Sequence, residues 1–232
     1  MARESGITLA ELLIGVFALA VAAALFCYAV GSARENAMKI RCRDNLIQLA
    51  KGVWTYCDGV SDNRFVIWPD GRAGCGAGRG PNAWTQANFG GAEWLATLYW
   101  TKIIPDPGVY ICPASPDDNA DGKKLGSYGC PGNRPLPENA VSYAGMGDRS
   151  VGIYLVSKQG KPASYATSKL AIRDDFPPNE PMACDDTEGG VNHGSARSMN
   201  VLFFDSHVEY WTSDRVDAER GVGRGDLCAL RN

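Results

Sequence analysis

This chain has few histidines, no excess of basic residues and no closely spaced cysteines. Its 232 residues include 2 histidines, and 23 Lys and Arg stand against 26 Asp and Glu, for a formal net charge of −3. Without a basic excess the composition does not favour nucleic acid, and we predict no such partner. Two histidines leave little choice for a Ser/His/Asp or Cys/His catalytic set, so we expect no enzymatic activity. No two of the eight cysteines have CxxC spacing, which argues against a zinc knuckle.

Charge is also missing near the N-terminus, where an apolar run extends from Ile7 to Val30. As a helix its 24 residues would span about 36 Å, enough to cross a hydrocarbon core of about 30 Å. A secretory signal peptide has a shorter apolar stretch, of about 7–15 residues, followed by a small-residue cleavage site. Between Ile7 and Ser32 the only carboxylate is that of Glu11. A carboxylate at membrane depth is costly, so Glu11 indicates a role beyond that of an ordinary anchor.

The segment around this glutamate is Gly6-Ile7-Thr8-Leu9-Ala10-Glu11-Leu12-Leu13, and it resembles the class III signal of type IV pilins and type II secretion pseudopilins. The resemblance implies that a prepilin peptidase cleaves after Gly6 and that the new N-terminal residue, Ile7, is methylated. It also implies that Glu11 neutralises the N-terminal amine of a neighbouring subunit. Ile7 stands where the family usually has Phe. In a bundle of staggered helices such a pairing would set the register, as one polar residue does in a coiled coil.

The resemblance and the hydrophobic pattern together predict an α+β, pilin-like fold, with a long N-terminal hydrophobic helix packed on a small antiparallel β-sheet head with long loops. The predicted segments are a leader (1–6), a transmembrane and filament-core helix (7–30), an amphipathic stem helix (31–58) and a globular head (59–232). Apolar residues of the stem recur at near-helical spacing, namely Ala37, Ile40, Leu46, Leu49, Val53 and Tyr56. Gly59 predicts the end of the helix.

Within the head, the clearest pattern is two β-rich runs that flank Asp205-Ser206, which predicts a tight hairpin. It resembles a hairpin of pilin-like heads, His-Gly…Asn-Val-Leu…Asp-Gly, but Ser206 replaces the usual Gly and the interval from His193 to Asp205 is longer. His193, Asp205 and His207 are candidates for a hairpin or ligand role; the simpler interpretation is that His193 hydrogen-bonds the hairpin and His207 faces outward. The other predicted elements are a long loop (60–92), a helix (92–99), a short extended segment (109–113) and two strands (141–144 and 151–156).

Eight cysteines are typical of an exported domain in an oxidising compartment. Cys27, inside the apolar run, is expected to act as a small buried hydrophobe. Cys42 and Cys57 would lie about 22 Å apart on one continuous helix, so they cannot bond to each other. With the connectivity left open, we predict disulfides among Cys57, Cys75, Cys112, Cys130, Cys184 and Cys228.

One acidic stretch, residues 117–122, matches the opening of a calcium loop. Its twelfth position would be Tyr128 rather than Glu and no helix pair flanks it, which excludes an EF-hand. A looser calcium site through Asp117, Asn119 and Asp121 remains a candidate, since type II pseudopilins are known to carry a calcium loop. A solvated acidic turn is the alternative; the sequence establishes no cofactor, and calcium is the candidate.

The expected function is that of a structural subunit in a type IV pilus-like or type II secretion pseudopilus filament. Its expected partners are the prepilin peptidase and N-methyltransferase, pilin subunits of the same or another kind, and the inner membrane. The chain would cross that membrane once with its head in the periplasm, and then enter a periplasmic or cell-surface filament. Two alternatives stay open. One is a membrane-tethered periplasmic module that binds a ligand or metal, and the other is a tethered metalloenzyme built on His193, Asp205 and His207.

Overall fold

The computed structural model describes residues 8–59, 91–119, 121–126, 136–137, 139–146, 178–185, 193, 198–212 and 230–231. Contacts divide the chain into two units, Met1–Ala37 and Met38–Asn232. Three predictions lie wholly or mainly outside the described residues: cleavage between Gly6 and Ile7, the loop over 60–92, and the strand over 151–156.

The first element is a helix of 51 residues, α1 (Leu9–Gly59), which confirms the predicted long helix and its end at Gly59. An 18-residue window of this helix has a mean hydropathy of 2.5, and none of that window is buried. Large exposed apolar side chains of the N-terminal part are Leu9, Leu12, Leu13, Ile14, Val16, Phe17, Leu19, Val21, Leu25, Phe26, Tyr28 and Val30. By length and composition, α1 is therefore able to cross a membrane.

The C-terminal part of α1 buries one face in the second unit. The fully buried residues include Cys42, Leu46, Leu49 and Val53, spaced at intervals of three and four. Ile40, which the sequence placed on this face, is 59% exposed, and that assignment is wrong. The buried stripe instead begins at Cys42.

A second helix, α2 (Gly91–Trp100), confirms the helix predicted over 92–99, and all ten of its residues are buried. Between it and the sheet, the segment predicted as extended over 109–113 begins instead inside a 3-10 helix, Pro107–Tyr110. The cause is local: the Asp106 side chain accepts a hydrogen bond from the Gly108 N–H at 2.9 Å, and Pro107 occupies the start of the turn. This correction matters because the turn directs the chain to Cys112, which is fully buried.

Five strands form one antiparallel sheet in the order β4-β3-β2-β1-β5. They are β1 (Tyr143–Met146), β2 (Pro181–Asp185), β3 (Met199–Phe203), β4 (Val208–Trp211) and β5 (Leu230–Arg231). β1 starts two residues later than predicted. The predicted hairpin is confirmed as β3–β4, and Ser206 in its turn has a φ of 71°. Long helix and small antiparallel sheet together confirm the α+β class.

Candidate metal centre

Four buried side chains from distant parts of the second unit come together in its core. Cys42 lies on α1, Cys112 follows the 3-10 helix, Asp185 is the last residue of β2, and His193 forms an isolated bridge with Ser198. One ligand atom of each of the four lies within 4.8 Å of every other. Both cysteines and Asp185 are 0% exposed and His193 is 2% exposed, so the group is closed to solvent.

Two contacts within this cluster are made by one ring nitrogen of His193, Nε2, and a third joins Cys42 to Asp185. His193 Nε2 is 3.6 Å from Cys112 Sγ and 3.4 Å from Asp185 Oδ2. The Cys42 thiol donates to the other carboxylate oxygen, Asp185 Oδ1, at 2.6 Å. The carboxylate of Asp185 therefore joins the α1 thiol to the histidine.

Strand register holds the carboxylate in place. Asp185 lies opposite Tyr143 in the β1–β2 pair. On its other side, Asn200 of β3 donates to Asp185 Oδ2 through its backbone N–H at 2.6 Å and its side-chain amide at 3.3 Å. Such hydrogen bonds fix the orientation of a buried carboxylate and are typical around metal-binding carboxylates.

His193 is fixed by its backbone. Its N–H donates to the Ser198 carbonyl at 3.3 Å and its carbonyl accepts from the Ser198 N–H at 3.2 Å. Ser198 immediately precedes β3, so this bridge lies beside the hairpin, whereas the sequence interpretation had His193 hydrogen-bond the hairpin itself. The buried Nδ1 atom has no hydrogen-bond partner within the described part of the chain. Nε2 is thus the ring nitrogen that contacts the cluster.

Burial and crowding shift the proton affinities of all four groups. Burial raises the pKa of Cys42 well above its usual value, while the proximity of Cys42 lowers the pKa of Cys112 to about 5. Burial, together with the charge of Cys112, raises the pKa of Asp185 to about 7. Burial alone lowers the pKa of His193, but its hydrogen bond with Cys112 and the charge of Asp185 outweigh that effect and raise it. Acidic groups are therefore crowded in a low-dielectric core.

The arrangement does not suit nucleophilic catalysis. In a Cys- or Ser-based triad the acid contacts one imidazole nitrogen and the nucleophile the other. Here Cys112 and Asp185 both face Nε2, and no atom of the group is open to substrate. Two thiols, an imidazole and a carboxylate are, however, a donor set that zinc takes in proteins.

The predicted ligand residues at the hairpin form a different group. His207 Nδ1 contacts the Asp205 carboxylate, and its ring stacks on Phe203 with centroids 4.3 Å apart. The side chains of Asp205 and His207 are 39% and 42% exposed. His193 belongs to the buried cluster instead, so these three candidates do not gather around one point.

The candidate calcium residues each make local contacts. Asp117 accepts from the Ser115 hydroxyl at 2.6 Å, and Asp121 pairs with Lys123 at 2.7 Å. The Asn119 amide donates to the Ala140 carbonyl and accepts from the Lys124 N–H, both at 2.9 Å. These contacts stabilise a turn without an ion, and the calcium site stays a prediction.

Glu11 lies in the first turn of α1 and bonds to its own helix terminus. Its carboxylate accepts from the Thr8 N–H at 2.8 Å and the Thr8 hydroxyl at 2.9 Å, while Thr8 Oγ1 accepts from the Glu11 N–H at 3.3 Å. This is a capping box, in which Thr8 is the N-cap and Glu11 the third helical residue. A local structural role therefore accompanies the assembly role implied by the resemblance.

The described cysteines are thiols. They are Cys27, which is exposed on α1, and the buried residues Cys42, Cys57, Cys112 and Cys184. The disulfide prediction therefore does not hold for Cys57, Cys112 and Cys184 here, while Cys75, Cys130 and Cys228 lie outside the described residues.

Sequence reasoning missed the cluster because it joins three distant regions of the chain, around residues 42, 112 and 185–193. Cys42 and Asp185 are separated by 143 residues, and Cys112 and His193 by 81. One signal was present: Cys42 continues the stripe of Leu46, Leu49 and Val53 and so had to enter the core.

Comparison of the chain with family models, with curated proteins and with solved structures finds no match.

Proposed function

We propose that this chain is a structural subunit of a type IV pilus-like or type II secretion pseudopilus filament, cleaved after Gly6 and assembled through α1. The observation that carries the proposal is an exposed, membrane-length apolar helix with one carboxylate, Glu11, in its first turn. The pilin-like signal around Gly6 supplies the specific family.

The apolar part of α1 needs a nonpolar environment on every side. Consecutive residues such as Leu12, Leu13 and Ile14 are 56%, 62% and 68% exposed, so no single face is covered. Burying one such side chain contributes about 1.5–3 kcal/mol, which makes an aqueous state of this segment very unfavourable. Lipid before assembly and neighbouring helices after assembly would both meet this need.

Glu11 would serve first as a cap and then as a partner for a terminal amine. The Thr8 bonds lower the cost of the carboxylate in an isolated subunit, because they satisfy part of its hydrogen-bonding capacity. Cleavage after Gly6 leaves Ile7 with a new ammonium group. In a staggered bundle that ammonium would meet Glu11 of another subunit, where low dielectric strengthens the attraction.

The two roles of Glu11 can be separated by substitution. Gln also completes a capping box, so Glu11→Gln keeps the cap and removes the charge, whereas Thr8→Ala removes the cap and keeps the charge. We expect both variants to insert and to be cleaved, and filament yield to fall sharply only for Glu11→Gln. Asp44→Asn, which removes an exposed carboxylate from the head part of α1, is the control for charge loss. Filaments undiminished in Glu11→Gln but lost in Thr8→Ala would show that the glutamate acts only as a cap.

The alternative is a membrane-tethered ligand- or metal-binding module. A groove of about 330 Å³ beside the hairpin favours it, with His207, Glu209 and Trp211 among its lining residues. Such a module needs no cleavage and no assembly. N-terminal sequencing and the intact mass of the native protein distinguish the two: the filament proposal requires a chain that begins at a methylated Ile7, and a chain that keeps residues 1–6 favours the module.

A further inference from the structure

We propose that Cys42, Cys112, Asp185 and His193 bind a single structural zinc ion that joins α1 to the sheet of the head. The proposal concerns the second unit alone and is independent of filament assembly. It rests on the spacing of the donor atoms, on their chemistry and on their complete burial.

Two interatomic distances within the cluster match those between ligands of one tetrahedral zinc ion. With Zn–S near 2.3 Å and Zn–N and Zn–O near 2.0–2.1 Å, a tetrahedron places S and N about 3.6 Å apart and N and O about 3.4 Å apart. Cys112 Sγ and His193 Nε2 are 3.6 Å apart, and His193 Nε2 and Asp185 Oδ2 are 3.4 Å apart. Two of the three pairwise distances among these atoms therefore match those of ligands bound to one zinc ion, and the third is below 4.8 Å.

The fourth ligand requires a small movement. Cys42 Sγ is 2.6 Å from Asp185 Oδ1, the carboxylate oxygen other than the Oδ2 assigned to the ion, and its thiol donates to that oxygen. Zinc binding removes the thiol proton that makes this hydrogen bond. The sulfur of Cys42 then turns from Oδ1 to the ion by a change in side-chain torsion, within a group whose ligand atoms all lie within 4.8 Å of one another.

Charge also favours a divalent cation at this position. Buried charges in proteins are normally paired or bound to metal, and here an entirely buried carboxylate faces two buried thiols. Two thiolates and a carboxylate with Zn²⁺ leave one negative charge.

The inferred role is structural rather than catalytic. Catalytic zinc keeps an open coordination position, whereas four protein ligands closed to solvent are typical of structural sites. The ligands come from α1, the segment after the 3-10 helix, the end of β2 and the bridge beside β3. One ion would thus connect three regions that are far apart in sequence, around residues 42, 112 and 185–193, and its binding would contribute to folding of the head.

The test uses the full-length chain, purified in detergent without added metal or chelator, and measures zinc by elemental mass spectrometry. We expect about one equivalent per chain in the natural protein. Cys42→Ser and Asp185→Asn should weaken zinc binding by more than the roughly 10–100-fold that losing an outer partner of a zinc ligand costs. Cys57→Ser and Cys184→Ser are the matched controls, since both cysteines are buried on the same elements outside the donor set. They should keep their zinc.

A second measurement uses the natural protein alone, so its result does not depend on whether a variant folds. The natural protein, stripped by a chelator and refilled with Co²⁺, should show thiolate-to-cobalt charge-transfer bands and the visible bands of tetrahedral cobalt. Three results would each overturn the proposal: no zinc and no tetrahedral cobalt spectrum in folded natural protein, equal zinc in Cys42→Ser and Cys57→Ser, or a Cys42–Cys112 disulfide found by peptide mapping.

Discussion

Ser206, at the tip of the β3–β4 hairpin, combines an unfavourable backbone conformation with a useful side-chain contact. Its φ of 71° lies in the left-handed region, which costs a non-glycine residue about 1–2 kcal/mol. Its hydroxyl oxygen accepts a hydrogen bond from Trp54 Nε1 of α1 at 3.0 Å. Such a bond contributes about 0.5–1.5 kcal/mol, so the contact offsets much of the backbone cost.

Two substitutions at this position should therefore differ in a defined way. Ser206→Ala loses the hydrogen bond and keeps the strained φ, so the free energy of unfolding should fall by about 1 kcal/mol. Ser206→Gly loses the same bond but relieves the strain, while its more flexible unfolded state costs about 0.4–1 kcal/mol. The glycine variant should be close to the natural protein and about 1 kcal/mol more stable than the alanine variant.

Equilibrium unfolding of the full chain in a mild detergent, followed by near-ultraviolet circular dichroism, measures both values. A double-mutant cycle with Trp54→Phe isolates the bond and should give a coupling of about 1 kcal/mol between positions 54 and 206. Equal stabilities for the alanine and glycine variants would refute the strain argument. A coupling of zero would refute the contribution of the hydrogen bond.

Two further predictions concern packing and acid stability of the head. A Cβ on Gly145 of β1 would lie 2.8 Å from the Gly91 carbonyl oxygen, a backbone atom that cannot easily move away. Gly145→Ala should therefore lower the free energy of unfolding by about 1–3 kcal/mol. Gly59→Ala is the control and should not lower it, because no atom lies within 4 Å of the added Cβ. Burial tends to raise the pKa of Asp205, but the hydrogen bonds from His207 outweigh this effect and lower the pKa. The ionised carboxylate therefore stabilises the fold at pH values above the unfolded-state pKa of about 4. That stabilisation is lost as the pH falls through the lower folded-state pKa. The difference in unfolding free energy between natural protein and Asp205→Asn should accordingly shrink below about pH 4, and a constant difference down to pH 2 would contradict the assignment.

Long, regular elements could be predicted because their signals are local. The hydrophobic run and the stem pattern predicted one helix, and the structure has one, α1 (Leu9–Gly59). The β-rich runs around Asp205-Ser206 gave the hairpin. The stripe was wrong at its start because cysteine was considered for disulfides rather than as a small apolar residue, although Cys42, not Ile40, continues the helical spacing of the core.

The segment predicted as extended over 109–113, which begins inside a 3-10 helix, shows how one side chain can override a propensity. Val109 and Tyr110 favour strands. Asp106, however, accepts from the Gly108 N–H, and Pro107 fixes φ at the first position of a 3-10 turn. The Asp-Pro-Gly sequence carries that information and indicates a turn by its own chemistry.

The buried cluster could not be predicted from the sequence, for a different reason. A local motif places ligands a few residues apart, and the four residues of this cluster do not form one. Here the ligands meet only because the stripe of α1, the β1–β2 register and the Ser198 bridge all direct side chains to one point. These are tertiary contacts, and the residue periodicity of a single segment does not predict them.

The redox state of Cys42 and Cys112 connects the zinc site with the proposed export of the chain. An oxidising compartment favours disulfides, yet these neighbouring sulfurs are present as buried thiols. Zinc would reconcile the two, because it binds the thiolates that oxidation would otherwise consume. The outcomes also separate the proposals. Zinc in mature protein that begins at Ile7 supports both, whereas a Cys42–Cys112 disulfide in assembled filaments would remove the metal site and leave the filament subunit intact.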